Sequence, residues 1–186
     1  MTDYELITEI KQGIVSSQEV LVRRHYKLVY SFLYRMTGDK ELTKDLTQET
    51  FIKLLKNISK YQPSADFKSW LLTLASNHAK DYFKSRAHKD RLHTYELTNQ
   101  DIRSEKGVSS IFERNERRKE IKQALEHLPS YQREAILLKY FNDMKISEIA
   151  VVTNSSVPTV KSRLKQGLEK LKTYLYRGEQ DERNTN

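Results

Sequence analysis

Between Ile146 and Gln166 this 186-residue chain gathers the side chains needed to grip an anion and read a base edge. Thr159, Lys161, Ser162, Arg163, Lys165 and Gln166 are cationic or neutral hydrogen-bond donors at helical spacing. Val157, Val160, Leu164, Leu168, Leu171 and Leu175 recur at three- and four-residue steps on the complementary side. Donors of these types contact phosphates and base edges in protein–DNA complexes. A solvated helix face carries similar charge runs, so the distinguishing signal lies just upstream. Residues 147–152 read as a short helix started by Ser147, with the small Ala150 where a second helix could approach. Thr153, Asn154 and Ser155 then form a polar turn, and Asn tolerates left-handed backbone. Ser156 is a good N-cap, and Pro158 falls in the first turn, where its missing N–H costs nothing. Together these features predict a helix-turn-helix whose second helix enters a major groove. Lys161, Ser162, Arg163 and Gln166 would face the groove from its N-terminal half, with Ser156 and Thr159 also counted among the DNA-binding residues and Lys165, Lys170 and Lys172 nearer phosphate or solvent.

Other chemistries find less support. There is no P-loop, no Gly-x-Ser-x-Gly and no metal-ligand spacing, and His25, His78, His88, His93 and His127 form no i,i+4 pair. The absence of cysteine excludes disulfides, thiolate metal sites and thiol catalysis, and fits a reducing cytoplasm. No cofactor, metal or small-molecule substrate is implied. Lys and Arg number 33 against 25 Asp and Glu, a net charge of +8 that favours an acidic partner. The N-terminal ten residues are polar and acidic, unlike a signal peptide, and no apolar run approaches the roughly 20 residues that span a bilayer.

The elements that must position these residues are helical. Five Gly and three Pro, with no sustained alternation, predict an all-α protein. Residues 4–12 form a short amphipathic segment ending at Gly13. Ser17 can cap a long helix that ends at Gly38, and Asp39 opens the next. After a break at 61–66, a helix runs over 67–86 with Trp70, Leu71, Leu74, Ala75 and Tyr82 on its apolar side. Periodicity dissolves over about 87–111 and resumes near Phe112; Ser130 caps a helix over 131–140. The expected organisation is two small helical domains, 1–87 and 112–177, joined by a flexible linker at 88–111, with a disordered tail at 178–186.

The motifs match a known pattern. Ile146-Ser147-Glu148-Ile149-Ala150 followed by Thr159-Val160-Lys161-Ser162-Arg163-Leu164 resembles the C-terminal promoter-reading domain of bacterial sigma factors. Leu128-Pro129-Ser130-Tyr131-Gln132-Arg133-Glu134-Ala135 resembles the segment before it. An independent match lies in the N-terminal half, in Asp45-Leu46-Thr47-Gln48-Glu49-Thr50-Phe51, Phe67-Lys68-Ser69-Trp70-Leu71 and Ala75-Ser76-Asn77. Order, spacing and tether resemble the small extracytoplasmic-function sigma factors, over about residues 14–175. The resemblance implies partners: core RNA polymerase, through the clamp of its largest subunit and the flap of its second largest, promoter DNA, and an anti-sigma factor that is often membrane-tethered. It implies that Asp45, Gln48 and Glu49 dock on the polymerase clamp, while Phe51 is core. It places the minus-ten element on the 61–66 loop and the helix after it. There Tyr61, Asp66, Phe67 and Asn77 would hold a flipped base, and Lys80, Lys84 and Arg86 the backbone. The recognition helix would read the minus-thirty-five element. Trp70 could wedge strands apart, but a lone Trp on an apolar stripe is more often core.

The chain departs from the family twice. Ser156-Val157-Pro158-Thr159-Val160 stands where many relatives have Pro-x-Gly-Thr-Val, which bears on how the recognition helix begins. Thr73 and Leu74 stand where primary sigma factors carry tryptophans, implying weaker melting and a stricter demand on promoter sequence. A conventional helix-turn-helix repressor or activator, with a sensing or dimerising N-terminal half, explains the C-terminal half equally well.

Overall fold

The computed structural model describes residues 1–62, 66–92 and 112–183, and all regular structure among them is helical. The first four helices are α1 (Asp3–Lys11), α2 (Val15–Thr37), α3 (Lys40–Asn57) and α4 (Phe67–Leu92), with a short 3-10 turn, Ile58–Lys60, after α3. The second four are α5 (Phe112–Glu126), α6 (Ser130–Ile136), α7 (Ile146–Val152) and α8 (Val157–Arg183). Two boundaries differ from expectation. The helix α4 runs on to Leu92, past the expected domain end at 87, and α8 runs through Arg183, so the segment expected as a disordered tail is helical to that point.

Local chemistry sets the helix ends. Thr2 and Glu5 form a capping box on α1: Thr2 Oγ1 accepts from the Glu5 N–H at 3.2 Å, and the Glu5 carboxylate accepts from the Thr2 N–H at 2.6 Å. Asp39 caps α3 by accepting from the Glu41 and Leu42 amides at 2.9 and 3.1 Å. Gly38 closes α2 at φ +73°, a left-handed position that glycine adopts without penalty. Ser17, expected as the α2 cap, is instead buried in the third position of the helix and donates to Glu9 across the α1–α2 turn. Ser147 likewise lies inside α7, which is capped from Lys145: its N–H donates to Glu148 Oε2 at 2.7 Å. The helix α6 follows Pro129, with Ser130 already in its first position.

The face that α3 turns inward is unusual. Thr43, Thr47 and Thr50 are fully buried, and each hydroxyl donates to the carbonyl four residues back, at 2.5, 2.6 and 2.7 Å. The helix therefore satisfies its own buried hydroxyls, and Thr43 Oγ1 additionally pairs with Thr37 Oγ1 at the end of α2 at 2.9 Å.

In the second half, α6 passes into a π-helical turn, Leu137–Phe141, closed when Asn142 Nδ2 donates to the Leu137 carbonyl at 2.9 Å. Such turns insert a residue and often mark functional positions. The helix α8 lies on α6 and α7 with Val160, Leu164 and Gly167 buried, whereas Leu168, expected on the apolar stripe, is 40% exposed. A Cβ on Gly167 would stand 2.7 Å from Ile136 Cδ1 and 3.4 Å from Gln132 Cβ. The two halves also touch. Buried residues from Leu6 to Leu164 form one contiguous apolar cluster, with α4 against α7 and α2 against α5 and α6.

Gly167→Val therefore overpacks the α6–α8 contact. It is expected to lower unfolding free energy by about 1–3 kcal/mol, read as a shifted denaturant midpoint; an unshifted midpoint would show that the close approach is not needed.

Candidate nucleic-acid interface

The turn before α8 is built as its residues suggest. Asn154 takes φ +47°, and the Ser155 N–H donates to the Ala150 carbonyl at 2.9 Å. Ser156 Oγ accepts from the Thr159 N–H at 3.2 Å and pairs with Thr159 Oγ1 at 2.7 Å, while Val160 N–H reaches the Ser156 carbonyl at 3.0 Å. Pro158 sits in this first turn, where no N–H is required, so the altered family motif still starts a regular helix. Ser156, Thr159, Lys161, Ser162, Lys165 and Gln166 are all exposed along α8. Arg163 is half-buried: its Nη1 donates to Ser155 Oγ at 2.8 Å, and its guanidinium lies 5.5 Å from the Tyr131 ring centroid. Gln166 accepts from Gln132 Nε2 at 3.0 Å and donates to Ser162 Oγ at 3.1 Å, so it is held from both sides.

The start of α4 corrects one expectation. Tyr61 and Phe67 are only 7% and 6% exposed, and they pack edge-on at 5.5 Å, with Trp70 5.1 Å from Tyr61 and 6.0 Å from Phe67. His25 closes the cluster against Phe67 at 5.1 Å, and Lys11 Nζ donates to the Tyr61 carbonyl at 2.9 Å. Burial, and then the nearby carboxylates of Asp66 and Asp3, pushes the Tyr61 phenol up. These two aromatics are core, and neither presents a free face to a flipped base. Apolar period and base stacking call for the same residue types, which is why sequence alone confuses them. Asp66 is exposed and caps α4, accepting from the Ser69 amide at 2.8 Å and its hydroxyl at 2.9 Å. Trp70 is half-buried. Asn77 and Lys84 are exposed; Lys80 is paired with Glu134 at 2.9 Å; the side chain of Arg86 lies outside the described residues.

On α3, Asp45, Gln48 and Glu49 share one exposed face, with Ile52 beside them at 45% exposure. Glu49 stands 3.5 Å from His78 Nδ1 on α4. Burial, and then Lys53, holds the His78 imidazole below its ordinary value, so at neutral pH this contact is a weak neutral one rather than an ion pair.

Asn77, Lys80 and Lys84 of α4 and Arg163 of α8 come together around one cleft of about 580 Å³, closed by Tyr131, Glu134 and Asn154. The α3 face does not belong to it. Glu134 and Ser76 were not singled out from sequence. A Glu between charged and apolar residues reads as solvated, and only the packing of α4 makes it buried.

Comparison with known proteins places both halves. The family model for Sigma-70 region 2 matches residues 21–89, and that for Sigma-70, region 4 matches residues 118–171. The chain is 34% identical over 158 residues to the ECF RNA polymerase sigma factor SigM of Bacillus subtilis, covering 83% of this chain and 92% of that one. It is 29% identical over 164 residues to the ECF RNA polymerase sigma factor SigE of Mycolicibacterium smegmatis, covering 88% of this chain but only 63% of that longer protein. Among solved structures, the sigma factor RpoE in complex with the anti-sigma factor NepR, from Bartonella quintana, has a similar fold. Its TM-score is 0.71 at 20% identity, covering 87% of this chain and 98% of that one.

The depressed His78 value has a signed consequence. The unfolded chain takes up a proton at this position more readily than the folded one, so its contribution to stability is complete above about pH 6.5 and is lost as pH falls below it. His78→Gln should flatten the fall in melting temperature between about pH 7 and pH 5.5; an unchanged slope would assign that fall to other groups.

Proposed function

This chain belongs to the ECF RNA polymerase sigma factors, and we propose that it binds core RNA polymerase, directs it to specific promoters and assists strand opening. The observation that carries this reading is the presence of two exposed polar faces of opposite chemistry on separate helices. The α8 face of Thr159, Lys161, Ser162, Lys165 and Gln166 suits a DNA groove, and the α3 face of Asp45, Gln48 and Glu49 suits a basic protein surface. A simple DNA-binding regulator would leave the second face without a use.

In this reading the α8 residues, with Ser156 and Arg163, read the minus-thirty-five element, and Arg163 is pre-positioned by Ser155 and Tyr131. Asp66, Asn77, Lys80, Lys84 and Arg86 line the path of the minus-ten strand. Tyr61 and Phe67 serve beneath it as the packed floor that fixes the start of α4. Trp70 packs on this floor and is itself half-buried. The α3 face meets the polymerase clamp, and the C-terminal half meets the flap. The chemistry of RNA synthesis belongs to the polymerase. An anti-sigma factor, of the kind seen with the Bartonella relative, holds the chain inactive until a stress or envelope signal releases it. The work is cytoplasmic, and among the described residues no helix is long and apolar enough to cross a membrane.

Two substitutions test the division of labour. Lys161→Ala is expected to weaken binding to upstream promoter DNA about 5- to 100-fold while core polymerase association is kept. Glu49→Arg should lose the polymerase while the chain still binds DNA. Loss of the same step by both, or failure of the wild-type chain to associate with a cognate core enzyme, would reject the assignment.

A further inference from the structure

Two of the exposed polar side chains of α8 are tied to a buried amide beneath the helix. Gln132, on α6, is 1% exposed, and its Nε2 donates to Gln166 Oε1 at 3.0 Å. Gln166 in turn donates from Nε2 to Ser162 Oγ at 3.1 Å. Both Gln166 and Ser162 are exposed, so this short relay runs from the core of the second half to its surface. Gly167 makes the reach possible. Because it has no Cβ, the two helices approach until Gln132 Cβ lies 3.4 Å from where one would stand.

Burial decides the direction of these bonds. Gln132 Oε1 has no hydrogen-bond partner among the described residues. With the amide turned round, a buried NH2 group would stand there without an acceptor, and an orphaned donor group is less tolerable than one carbonyl oxygen. Gln132 therefore donates outward, and Gln166 must answer with its carbonyl. That choice orients the rest. The Gln166 carbonyl faces α6, and its NH2 faces along α8 toward Ser162, with one of its two N–H groups left over. Ser162 accepts from Gln166 and so keeps its own O–H to give.

We propose that Gln132 is a positioning residue for sequence reading: it sets the polarity of the relay, so that Gln166 and Ser162 present donors to the groove and select a base edge bearing only acceptors. Such edges are guanine, with O6 and N7, and thymine, with O4. Adenine and cytosine place an amino group in the major groove and would set donor against donor. An untethered glutamine amide turns either way and reads adenine through both of its ends, accepting from N6 and donating to N7. Here the end that would accept from N6 is turned into the protein. The preceding residue, Tyr131, has its ring centroid 5.5 Å from the Arg163 guanidinium, so consecutive residues of α6 support neighbouring reading residues of α8. This role rests on α8 entering a major groove, as proposed above, and adds which base edge two of its residues accept.

The test uses the full-length chain with core polymerase on a pool of promoter duplexes randomised across the upstream element, and reads base preference position by position. Gln166→Ala marks the position that Gln166 reads, by the preference that collapses there. Gln132→Met keeps a similar volume and removes a carbonyl oxygen that had no partner, so the melting temperature should be nearly unchanged. It should lower the preference for guanine or thymine at the marked position about 3- to 10-fold and leave the other positions as they were. Gln132→Glu, whose carboxylate only accepts, should turn the Gln166 amide round and move the preference toward adenine or cytosine. No collapsed position in Gln166→Ala, an unchanged preference there in Gln132→Met, or an equal loss at every position would overturn the proposal. So would a wild-type preference for adenine or cytosine at the marked position. A wild-type chain that selects no upstream sequence would reject base reading by α8 itself, and the role of Gln132 with it.

Discussion

A carboxylate leaves water only where a cation and hydrogen-bond donors replace its hydration. For Glu134 those replacements are Lys80 and Ser76, one helical turn apart on α4. This one requirement ties the second half of the molecule to the first. It fixes which face of α4 meets α6, and so which basic residues remain in solvent. The π-helical turn after α6 fits the same arrangement, because it brings the Asn142 carbonyl to Lys68 in the first turn of the same helix α4.

Around this seam, charge is distributed unevenly. The chain is basic overall, yet α3 presents Asp45, Gln48 and Glu49 on one exposed face, and α8 presents its cations on another. A uniformly basic surface would draw DNA everywhere; a local acidic face suits a protein surface of positive charge, as proposed above. The buried threonine seam of α3 supports this division. Thr43, Thr47 and Thr50 bond back to their own helix, and Thr43 also pairs with Thr37 of α2, so no hydroxyl on the buried side of α3 is left unsatisfied.

Much of this was legible in the residues, and what was not has physical reasons. Features that act within a few residues of chain were readable. Asp39 and Ser156 cap as their side chains dictate, and Gly38 and Asn154 take the left-handed backbone their types allow. Features decided by what lies across the core were not. Ser17 has a capping residue's type, but its hydroxyl is claimed by Glu9 of α1. Leu168 fits the apolar period, yet it is the side-chain-free Gly167 that meets α6. Tyr61 and Phe67 have the chemistry of a base pocket, but Trp70 and His25 enclose them. Glu134 is the extreme case, since its neighbours in sequence suggest solvent and its neighbours in space remove it.

The central claim is that the α3 face of Asp45, Gln48 and Glu49 and the α8 face around Lys161 meet different partners. The most direct measurement is amide hydrogen exchange of the chain, first free, then bound to core polymerase, then on promoter DNA with polymerase. The expected result is protection of α3 once polymerase is bound and of the start of α8 only when DNA is present. Protection of both helices by DNA alone would contradict it.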